Sequence, residues 1–225
     1  MLYKIAKVLN SENLADVRQA LDSAEFVDGK LSAGKVAQDV KNNLELSKEL
    51  QHRDLLNKAV MAAIMQNQAF QHAALPARIS TPIFAKYTQG MHYGEHADDP
   101  TMGERPGQYR SDVSLTLFLS EPEEYTGGEL AISTSFGRQK VKLDAGDMVV
   151  YPSSSLHQVM PVISGTRLVM ITWMQSMVKD TAKRAILYDL WQVKEELQAK
   201  DAAAASSRQL DISYANLLRM WAEPI

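Results

Sequence analysis

Seven short β-type runs between residues 79 and 176 constrain the fold of this chain more than any other feature. They are TPIFAKYTQG, SDVSLTLFLS, GELAIST, RQKVKL, DMVVYPS, LHQVM and TRLVMITWMQS. Turn signals separate them at Gly90, Gly103, Pro106, Gly107, Gly127, Gly128, Gly146, Ser164 and Gly165. Because no helical pattern lies between these runs, they favour an antiparallel sandwich or barrel over a parallel α/β sheet. The sequence therefore predicts an α+β protein with a mainly β core, such as a jelly roll.

Helical patterns flank the β region on both sides. Residues 2–9 are predicted as an opening strand, Asn10 or Ser11 as the cap of a first helix, and residues 27–47 as loop or short turns. Ser47 begins the strongest helical pattern, whose predicted apolar face is Leu50, Leu55, Leu56, Ala59, Val60, Ala63 and Ile64. The predicted division is a supporting α/β flank at 1–77, a core at 78–177 and a helical extension at 178–225. Packing of the extension on the core is favoured, with a homo-oligomer as the alternative.

Composition narrows the classes of function. The chain has 24 Lys and Arg against 27 Asp and Glu, so no basic excess favours nucleic acid or an anionic membrane as partner. Cysteine is absent, which excludes disulfides, zinc–thiolate sites and cysteine nucleophiles. The sequence has neither an apolar run long enough to span a membrane nor a signal-peptide pattern, so a cytoplasmic protein is the expectation.

Without cysteine, a metal ion must be held by His, Asp or Glu. His96 and Asp98 are two residues apart, so on a strand their side chains share one face. His157 lies in a later β-type run, and strands facing each other inside a barrel can bring it to the same place. Two histidines and one carboxylate form the facial triad of non-haem Fe(II) oxygenases, whose open positions can take a 2-oxo acid and O₂.

Arg167 stands in the otherwise apolar run RLVMITWM, ten residues after His157. A buried charge there is unfavourable unless it is paired. A guanidinium suits a bidentate contact with a carboxylate, and the distal carboxylate of 2-oxoglutarate is the expected partner. The combination of HxD, a later His and this Arg is far more specific than HxD alone.

The whole chain resembles the PKHD-type hydroxylases, the bacterial branch of the prolyl-4-hydroxylase-like Fe(II)/2-oxoglutarate dioxygenases. The resemblance is carried by GKLSAGKVAQDVKNNLEL, KYTQGMHYGEHADD, RSDVSLTLFLS, EYTGGEL, PSSSLHQV and GTRLVMITWMQS. It implies a double-stranded β-helix core and hydroxylation of an unidentified substrate, a peptidyl residue or a small molecule, with release of succinate and CO₂. It further implies Fe(II), 2-oxoglutarate and L-ascorbate as cofactors, with O₂ as co-substrate. The implied iron ligands are His96, Asp98 and His157, and the implied 2-oxoglutarate contacts are Arg167, Tyr87 and Ser114, the last standing where related enzymes have threonine.

For most of the other polar and aromatic residues of interest, the sequence leaves two interpretations open. His92 is assigned to a substrate pocket or a structural role, and Tyr93 to a substrate pocket or core packing. Asp112 is predicted either to face the pocket or to make a buried hydrogen bond. His52 and His72 are expected to be solvated or capping residues, Trp173 is assigned to the core, and Lys41, Asn42 and Asn43 either to the barrel mouth or to a helix cap.

Two rival functions remain at this stage. A non-catalytic, cupin-like metal-binding sensor or regulatory module would keep the His96, Asp98 and His157 set without needing Arg167. A 2-oxoglutarate-independent isomerase or lyase on the same barrel would also leave Arg167 without a role. Arg167 therefore discriminates between these rivals and the dioxygenase.

Overall fold

The computed structural model describes residues 1–32, 34, 38–49 and 53–224. Its described part contains the helices α1 (Ser11–Asp22), α2 (Arg53–Gln66), α3 (Gln68–Ala74), α4 (Thr181–Asp201) and α5 (Ala205–Trp221). The strands are β1 (Tyr3–Ile5), β2 (Phe26–Asp28), β3 (Lys41–Asn42), β4 (Leu44–Leu46), β5 (Pro76–Ile79), β6 (Ile83–Tyr87), β7 (His92–His96), β8 (Thr101–Met102), β9 (Tyr109–Arg110), β10 (Val113–Phe118), β11 (Tyr125–Gly127), β12 (Leu130–Thr134), β13 (Gly137–Val141), β14 (Met148–Pro152), β15 (His157–Val159), β16 (Val162–Gly165) and β17 (Arg167–Ser176).

Two antiparallel sheets form the core. The major sheet has the order β1-β14-β10-β17-β6-β4-β2, with β5 also paired to β17. The minor sheet has the order β13-β12-β15-β7-β3. Each of the seven predicted β-type runs contains one of these strands, so the predicted antiparallel β core is confirmed.

The major sheet is covered on both faces, which explains why every residue of β10 is buried. Leu115 and Leu117 of β10 pack with the N-terminal helices, in a cluster that includes Val60 and Phe70. Side chains alternate along a strand, so Ser114, Thr116 and Phe118 point to the opposite face. On that face Phe118 packs with apolar residues from both sheets, and the two polar side chains reach the interior of the sandwich.

The N-terminal flank is more ordered than its sequence indicates. Residues 27–47 were expected to be loop, but β3 joins the minor sheet and β2 and β4 join the major sheet. Strands of two or three residues carry too few side chains to show an alternating pattern, so only pairing with longer neighbours identifies them. β1 confirms the opening strand, shortened to three residues, and Asn10 caps α1 by accepting a hydrogen bond from the Asn13 backbone N–H at 2.8 Å.

The long helix predicted after Ser47 is two helices. Asn67 ends α2 and caps α3, its side chain accepting from the Phe70 N–H at 3.0 Å. The predicted apolar face is wrong at Leu55, which is 62% exposed, and at Ala59. The buried face is the narrower set Leu56, Asn57, Val60 and Ile64. Leu50 and His52 lie outside the described residues.

The two C-terminal helices pack on the end of the β core, as expected. Leu187 and Tyr214 are buried in one cluster with Leu75 and Val178. His72 of α3 takes part in this contact and is not a solvated or capping residue: its ring stacks on Trp191 at 4.6 Å. No helix in the described ranges is long and apolar enough to cross a membrane.

Candidate metal and co-substrate site

Neighbouring strands of the minor sheet bring two histidines together. His96 ends β7 and His157 begins β15, and the antiparallel pairing sets them directly opposite each other. Asp98 follows β7 by two residues and its Oδ1 lies 4.0 Å from His96 Nε2 and 3.8 Å from His157 Nε2. One ligand atom from each residue falls within 4.8 Å of the others, a spacing that can hold a metal ion.

The histidine rings are oriented for metal binding. His96 Nδ1 lies 2.8 Å from the Gly94 carbonyl oxygen, and His157 Nδ1 lies 2.9 Å from the Ser155 carbonyl oxygen. A carbonyl can only accept, so these contacts assign the ring proton to Nδ1 and leave the Nε2 lone pair for a ligand. Burial, followed by the nearby His157, lowers the pKa of His96 to about 4, so its imidazole is neutral at neutral pH.

The Asp98 carboxylate accepts a hydrogen bond from one serine of the major sheet, and a second serine contacts the first. Ser114 of β10 donates to Asp98 Oδ2 at 2.5 Å and also lies 2.8 Å from the hydroxyl of Ser153. The contact from Ser114 engages Oδ2, while Oδ1 is the oxygen near the two imidazoles. Ser114 therefore contacts a candidate ligand directly.

A narrow inner cavity adjoins the three candidate ligands and ends at Arg167. Its lining includes Tyr87, Tyr93, Ser114, Thr116, Leu130, Tyr151, Val159, Val169, Ile171 and Trp173. Arg167 is 1% exposed, and its Nε and Nη1 atoms have no hydrogen-bond partner within the described part of the chain. Buried guanidinium nitrogens without an acceptor are unfavourable, so the surroundings of Arg167 are suited to an anionic ligand.

Aromatic rings support the guanidinium. Tyr87 lies opposite Arg167 in the β6–β17 register, with its ring centroid 5.0 Å from the guanidinium carbon. The Phe118 centroid lies 5.6 Å from the same carbon. Burial raises the pKa of Tyr87 to about 12, so its hydroxyl keeps its proton and can donate. These contacts fix the guanidinium plane without supplying a hydrogen-bond acceptor.

The donor set and the cavity fit Fe(II) and a dicarboxylic 2-oxo acid. Two imidazoles and one carboxylate leave coordination positions open for a chelating ligand. Arg167 lines the same cavity as this set, together with apolar, aromatic and hydroxyl side chains. The inner cavity encloses only about 40 Å³ in this structure, but it shares Tyr93, His96, Asp98, Ile171 and Trp173 with a wider outer cavity.

The outer cavity measures about 700 Å³ and is lined by both the β core and the N-terminal flank. Tyr93 separates it from the inner cavity, with its ring stacked on that of His96 at 3.7 Å. Lys41 lines the same cavity and pairs with Glu45 at 2.6 Å, so this part of the Lys41, Asn42 and Asn43 segment lies at the mouth of the barrel.

Three residues singled out from the sequence have other surroundings. His92 lines neither cavity, and its Nδ1 lies 3.2 Å from the Gly90 carbonyl oxygen. Asp112 makes the buried structural contacts, accepting from Arg110 at 2.6 Å and from the Ser176 N–H at 2.9 Å. Trp173 is a half-buried wall of both cavities, so its assignment to the core is wrong.

Sequence reasoning missed several lining residues that strand alternation would have found. Trp173 is six residues after Arg167 on β17, so both side chains lie on the same face. Tyr151 also faces the inner cavity, with its ring edge on His157 at 5.1 Å. Asn57 lies among the apolar residues of α2, so the helical pattern did not single it out. A polar residue on a buried helix face is unusual, and that signal could have identified it.

Comparison with known proteins identifies the class. The 2OG-Fe(II) oxygenase superfamily matches residues 82–175, and the C-terminal domain of PKHD-type hydroxylases matches residues 181–223. A PKHD-type hydroxylase of Thioalkalivibrio sulfidiphilus is 47% identical over 99% of this chain and 100% of its own length. Another, from Acaryochloris marina, is 43% identical with the same coverage.

Solved structures share the fold at low identity. A prolyl-4-hydroxylase of Pseudomonas putida has a TM-score of 0.53 at 22% identity, covering 77% of this chain and 92% of that one. A Trichoplax adhaerens prolyl hydroxylase in complex with a hypoxia inducible factor peptide has a TM-score of 0.57 at 18% identity, covering 82% and 86%. HygX from Streptomyces hygroscopicus, solved with nickel and 2-oxoglutarate, has a TM-score of 0.52 at 12% identity, covering 79% and 84%.

Fold and family together define an iron- and 2-oxoglutarate-dependent oxygenase. Within that class the chain belongs to the PKHD-type hydroxylases. It is a dioxygenase that uses O₂ and 2-oxoglutarate to hydroxylate a substrate not yet identified.

Proposed function

We propose that His96, Asp98 and His157 hold the Fe(II) ion of this hydroxylase and that Arg167 binds the distal carboxylate of 2-oxoglutarate. The observation that carries the proposal is the buried Arg167 guanidinium, whose Nε and Nη1 lack a partner among the described residues. A non-catalytic metal-binding sensor would leave that charge without a ligand.

Each side chain has a separate task in this proposal. Iron bound by the triad would supply the O₂-dependent oxidation that converts 2-oxoglutarate to succinate and CO₂ and hydroxylates a C–H bond. Arg167 fixes the co-substrate at the end remote from the metal by charge-assisted hydrogen bonds. Tyr87 holds the guanidinium plane and keeps a proton to donate to the same carboxylate. Arg167, His157 and Ser114 are all buried, and exclusion of water there strengthens both electrostatic contacts.

The remaining sequence-predicted residues take less direct parts. Ser114 is proposed to position Asp98, because its hydroxyl already donates to that carboxylate. Tyr93 is proposed to contact the substrate, because it lines both cavities and covers His96. A substrate-pocket role for His92 has no support from its position.

The metal assignment is tested by removing each ligand. His96→Ala, Asp98→Ala and His157→Ala should each abolish tight Mn(II) or Fe(II) binding in an anaerobic titration. Asp98→Glu should also fail, because one extra methylene displaces the carboxylate beyond the roughly 0.5 Å that a productive site tolerates. His92→Ala, on the same strand, is the matched control and should bind as the wild type does. Wild-type affinity in any ligand variant would remove that residue from the site.

The co-substrate assignment is tested by Arg167→Ala. Loss of a charge-assisted, bidentate contact should weaken 2-oxoglutarate by roughly 30- to 1,000-fold, while metal affinity stays unchanged. Arg167→Lys should recover only part of the loss, because an ammonium lacks the planar fork. Calorimetric titration under anaerobic conditions with Mn(II) measures both variants.

Pyruvate is the ligand control for this experiment. It has the chelating 2-oxo acid end but no distal carboxylate, so it should bind the wild type poorly and be little affected by Arg167→Ala. Equal affinity of 2-oxoglutarate for the wild type and Arg167→Ala would make Arg167 a structural charge only.

Ascorbate dependence, a cytoplasmic location and self-association are further parts of the proposal. The first rests on the family resemblance and predicts that succinate production declines sooner without ascorbate. The second predicts that the protein is recovered in the cytoplasmic fraction of its cells. Self-association is suggested by Ile186 and Val193, which are exposed apolar residues on α4, and sedimentation of the full chain tests it.

The net charge of −3 gives no support to nucleic acid or an anionic membrane as partner.

A further inference from the structure

The outer cavity has two kinds of lining. The β core supplies an apolar and aromatic part, Ile79, Ile83, Tyr109, Ile171 and Trp173. The N-terminal flank supplies a polar part, Ser32, Lys41, Lys48, Arg53 and Asn57. Since the candidate metal ligands His96 and Asp98 line the same cavity, a molecule bound here would meet both linings beside the metal centre.

Two polar atoms on α2 lack partners at this cavity. Asn57 is only 8% exposed and its Oδ1 makes no hydrogen bond to any described residue. Arg53 is half-buried, and its Nε is likewise buried without a partner in the described ranges. The two residues are one helical turn apart, so they lie on the same face of α2. Unpaired buried polar groups are unfavourable, and native proteins retain few of them without a functional reason.

The other charged residues around the cavity are paired, belong to the candidate metal centre or are exposed to water. Lys41 is paired with Glu45 at 2.6 Å and also donates to Ser32 at 2.9 Å. Asp98 belongs to the candidate metal centre. The remaining charges, Lys48, Asp54 and Asp99, are exposed to water. Arg53 is therefore the cavity cation that combines a buried donor with no acceptor among the described residues.

We infer that Arg53 and Asn57 are specificity residues for the primary substrate: Arg53 binds an oxyanion, a carboxylate or a phosphate, and Asn57 Oδ1 accepts a hydrogen bond from a donor beside that anion. This inference rests on the proposed function, because it places the substrate beside the candidate iron ligands. Arg53 supplies charge-assisted hydrogen bonds to the anion, and Asn57 Oδ1, the amide atom without a partner among the described residues, accepts from an N–H or O–H next to it. The apolar portion of the substrate packs on Trp173 and its neighbours.

Binding of model ligands tests this directly. The probes are 3-phenylpropionate, its uncharged amide 3-phenylpropanamide, and 2-phenylethylphosphonate, each titrated by ligand-observed NMR. The full chain is saturated with Mn(II) and 2-oxoglutarate, so the inner cavity is occupied. The propionate or the phosphonate should bind roughly 10- to 100-fold more tightly than the amide, the effect of one charge-assisted contact. Whichever anion binds more tightly identifies carboxylate or phosphate as the better match.

Variants on α2 separate this site from a general charge effect. Arg53→Gln should remove the preference for the anions over the amide, whereas Asn57→Ala, which removes an acceptor and no positive charge, should keep that preference. Lys58→Gln is the matched control, because Lys58 is exposed on the same helix and does not line the cavity. It should bind as the wild type does.

Three outcomes would overturn the inference: equal binding of acid and amide, an unchanged preference in Arg53→Gln, or no binding of either anion at millimolar concentration. A parallel titration of the same wild-type preparation with 2-oxoglutarate reports on the proposed function. Normal 2-oxoglutarate binding with failed anion binding rejects only the role of Arg53 and Asn57.

Discussion

Ser114 binds one of the two oxygens of the Asp98 carboxylate and leaves the other free for a metal ion. Its hydroxyl donates to Oδ2 at 2.5 Å, and Oδ1 remains the oxygen nearest the two imidazoles. A carboxylate fixed in this way keeps one lone pair aimed at the metal position without reorganising on binding. The strand position of Ser114 is visible in the sequence, but its partner is not, because Asp98 reaches it from the other sheet.

Ser114→Ala should weaken Mn(II) binding by roughly 10- to 100-fold, the usual effect of losing a hydrogen bond to a ligand. Calorimetric or electron-paramagnetic titration measures the change. Ser114→Thr retains the hydroxyl and should restore most of the affinity. Wild-type affinity in Ser114→Ala would show that the contact does not position Asp98.

At the scale of elements, the β16–β17 turn places Arg167 at the cavity end. Gly165 adopts a φ of +78° there, and a Cβ on it would lie 2.0 Å from the Glu124 carbonyl oxygen. Gly90 has a similar φ of +83°, but a Cβ there would meet no atom within 4 Å. The two glycines therefore share one backbone conformation and differ in the space around it.

Gly90→Ala should destabilise the protein by about 1 kcal/mol, the strain of a left-handed residue with a side chain. Gly165→Ala should destabilise it by about 3 kcal/mol or more, because the backbone of the neighbouring strand must also move. Urea denaturation of both variants gives the comparison. Equal losses would mean that the β11–β16 pair accommodates the added methyl group without strain.

His72 makes the contact between α3 and the C-terminal helices sensitive to pH. Its Nδ1 lies 2.8 Å from the Tyr214 hydroxyl, and burial, aided by the charge of Lys194, lowers its pKa. A histidine with a lowered folded-state pKa binds fewer protons than in the unfolded chain, so stability falls as the pH drops below its unfolded value of about 6.5.

The urea midpoint of the wild type should therefore fall between pH 7.5 and pH 5. His72→Gln cannot titrate, so its midpoint should fall less over the same range. His96, whose pKa is also lowered by burial, contributes in the same direction to both proteins and cancels in the comparison. Identical pH dependence in the two proteins would show that His72 protonation is not linked to folding.

The sequence predicts long elements better than short ones. The seven β-type runs and α4 and α5 carry enough periodic residues to be recognised locally. β2, β3 and β4 do not, and their place depends on pairing: β3 with β7, β4 with β6, and β2 with β4. The candidate triad was predictable because each ligand has a distinctive side chain. The Arg53 and Asn57 pair was not, because a cavity between the flank and the core is a property of tertiary packing.

At the scale of the whole molecule, the C-terminal helices are tied to the core by several independent contacts. The Tyr188 ring lies 4.2 Å from the Tyr3 ring of β1. Glu223 pairs with Arg110 at 3.0 Å and donates its backbone N–H to the Met177 carbonyl oxygen at 2.8 Å. Contacts distributed over both ends of the extension predict that it unfolds together with the β core and not as a separate unit.

Leu187→Ala tests this cooperativity. Leu187 is fully buried among the C-terminal helices, so truncation should destabilise the protein by about 2–5 kcal/mol. Ile186→Ala is the matched control, because Ile186 is 47% exposed and its loss should change stability by less than about 1 kcal/mol. Trp173 reports on the core, whereas Trp191 and Trp221 report on the extension.

The two regions are followed separately by fluorescence in a Trp173→Phe background and in a Trp191→Phe, Trp221→Phe background. If core and extension form one cooperative unit, Leu187→Ala lowers the urea midpoint equally in both backgrounds. A midpoint that falls only where Trp191 and Trp221 report would mean that the extension melts first. In that case its contacts through Tyr3 and Arg110 are too weak to couple it to the β core, and the catalytic domain is stable without it.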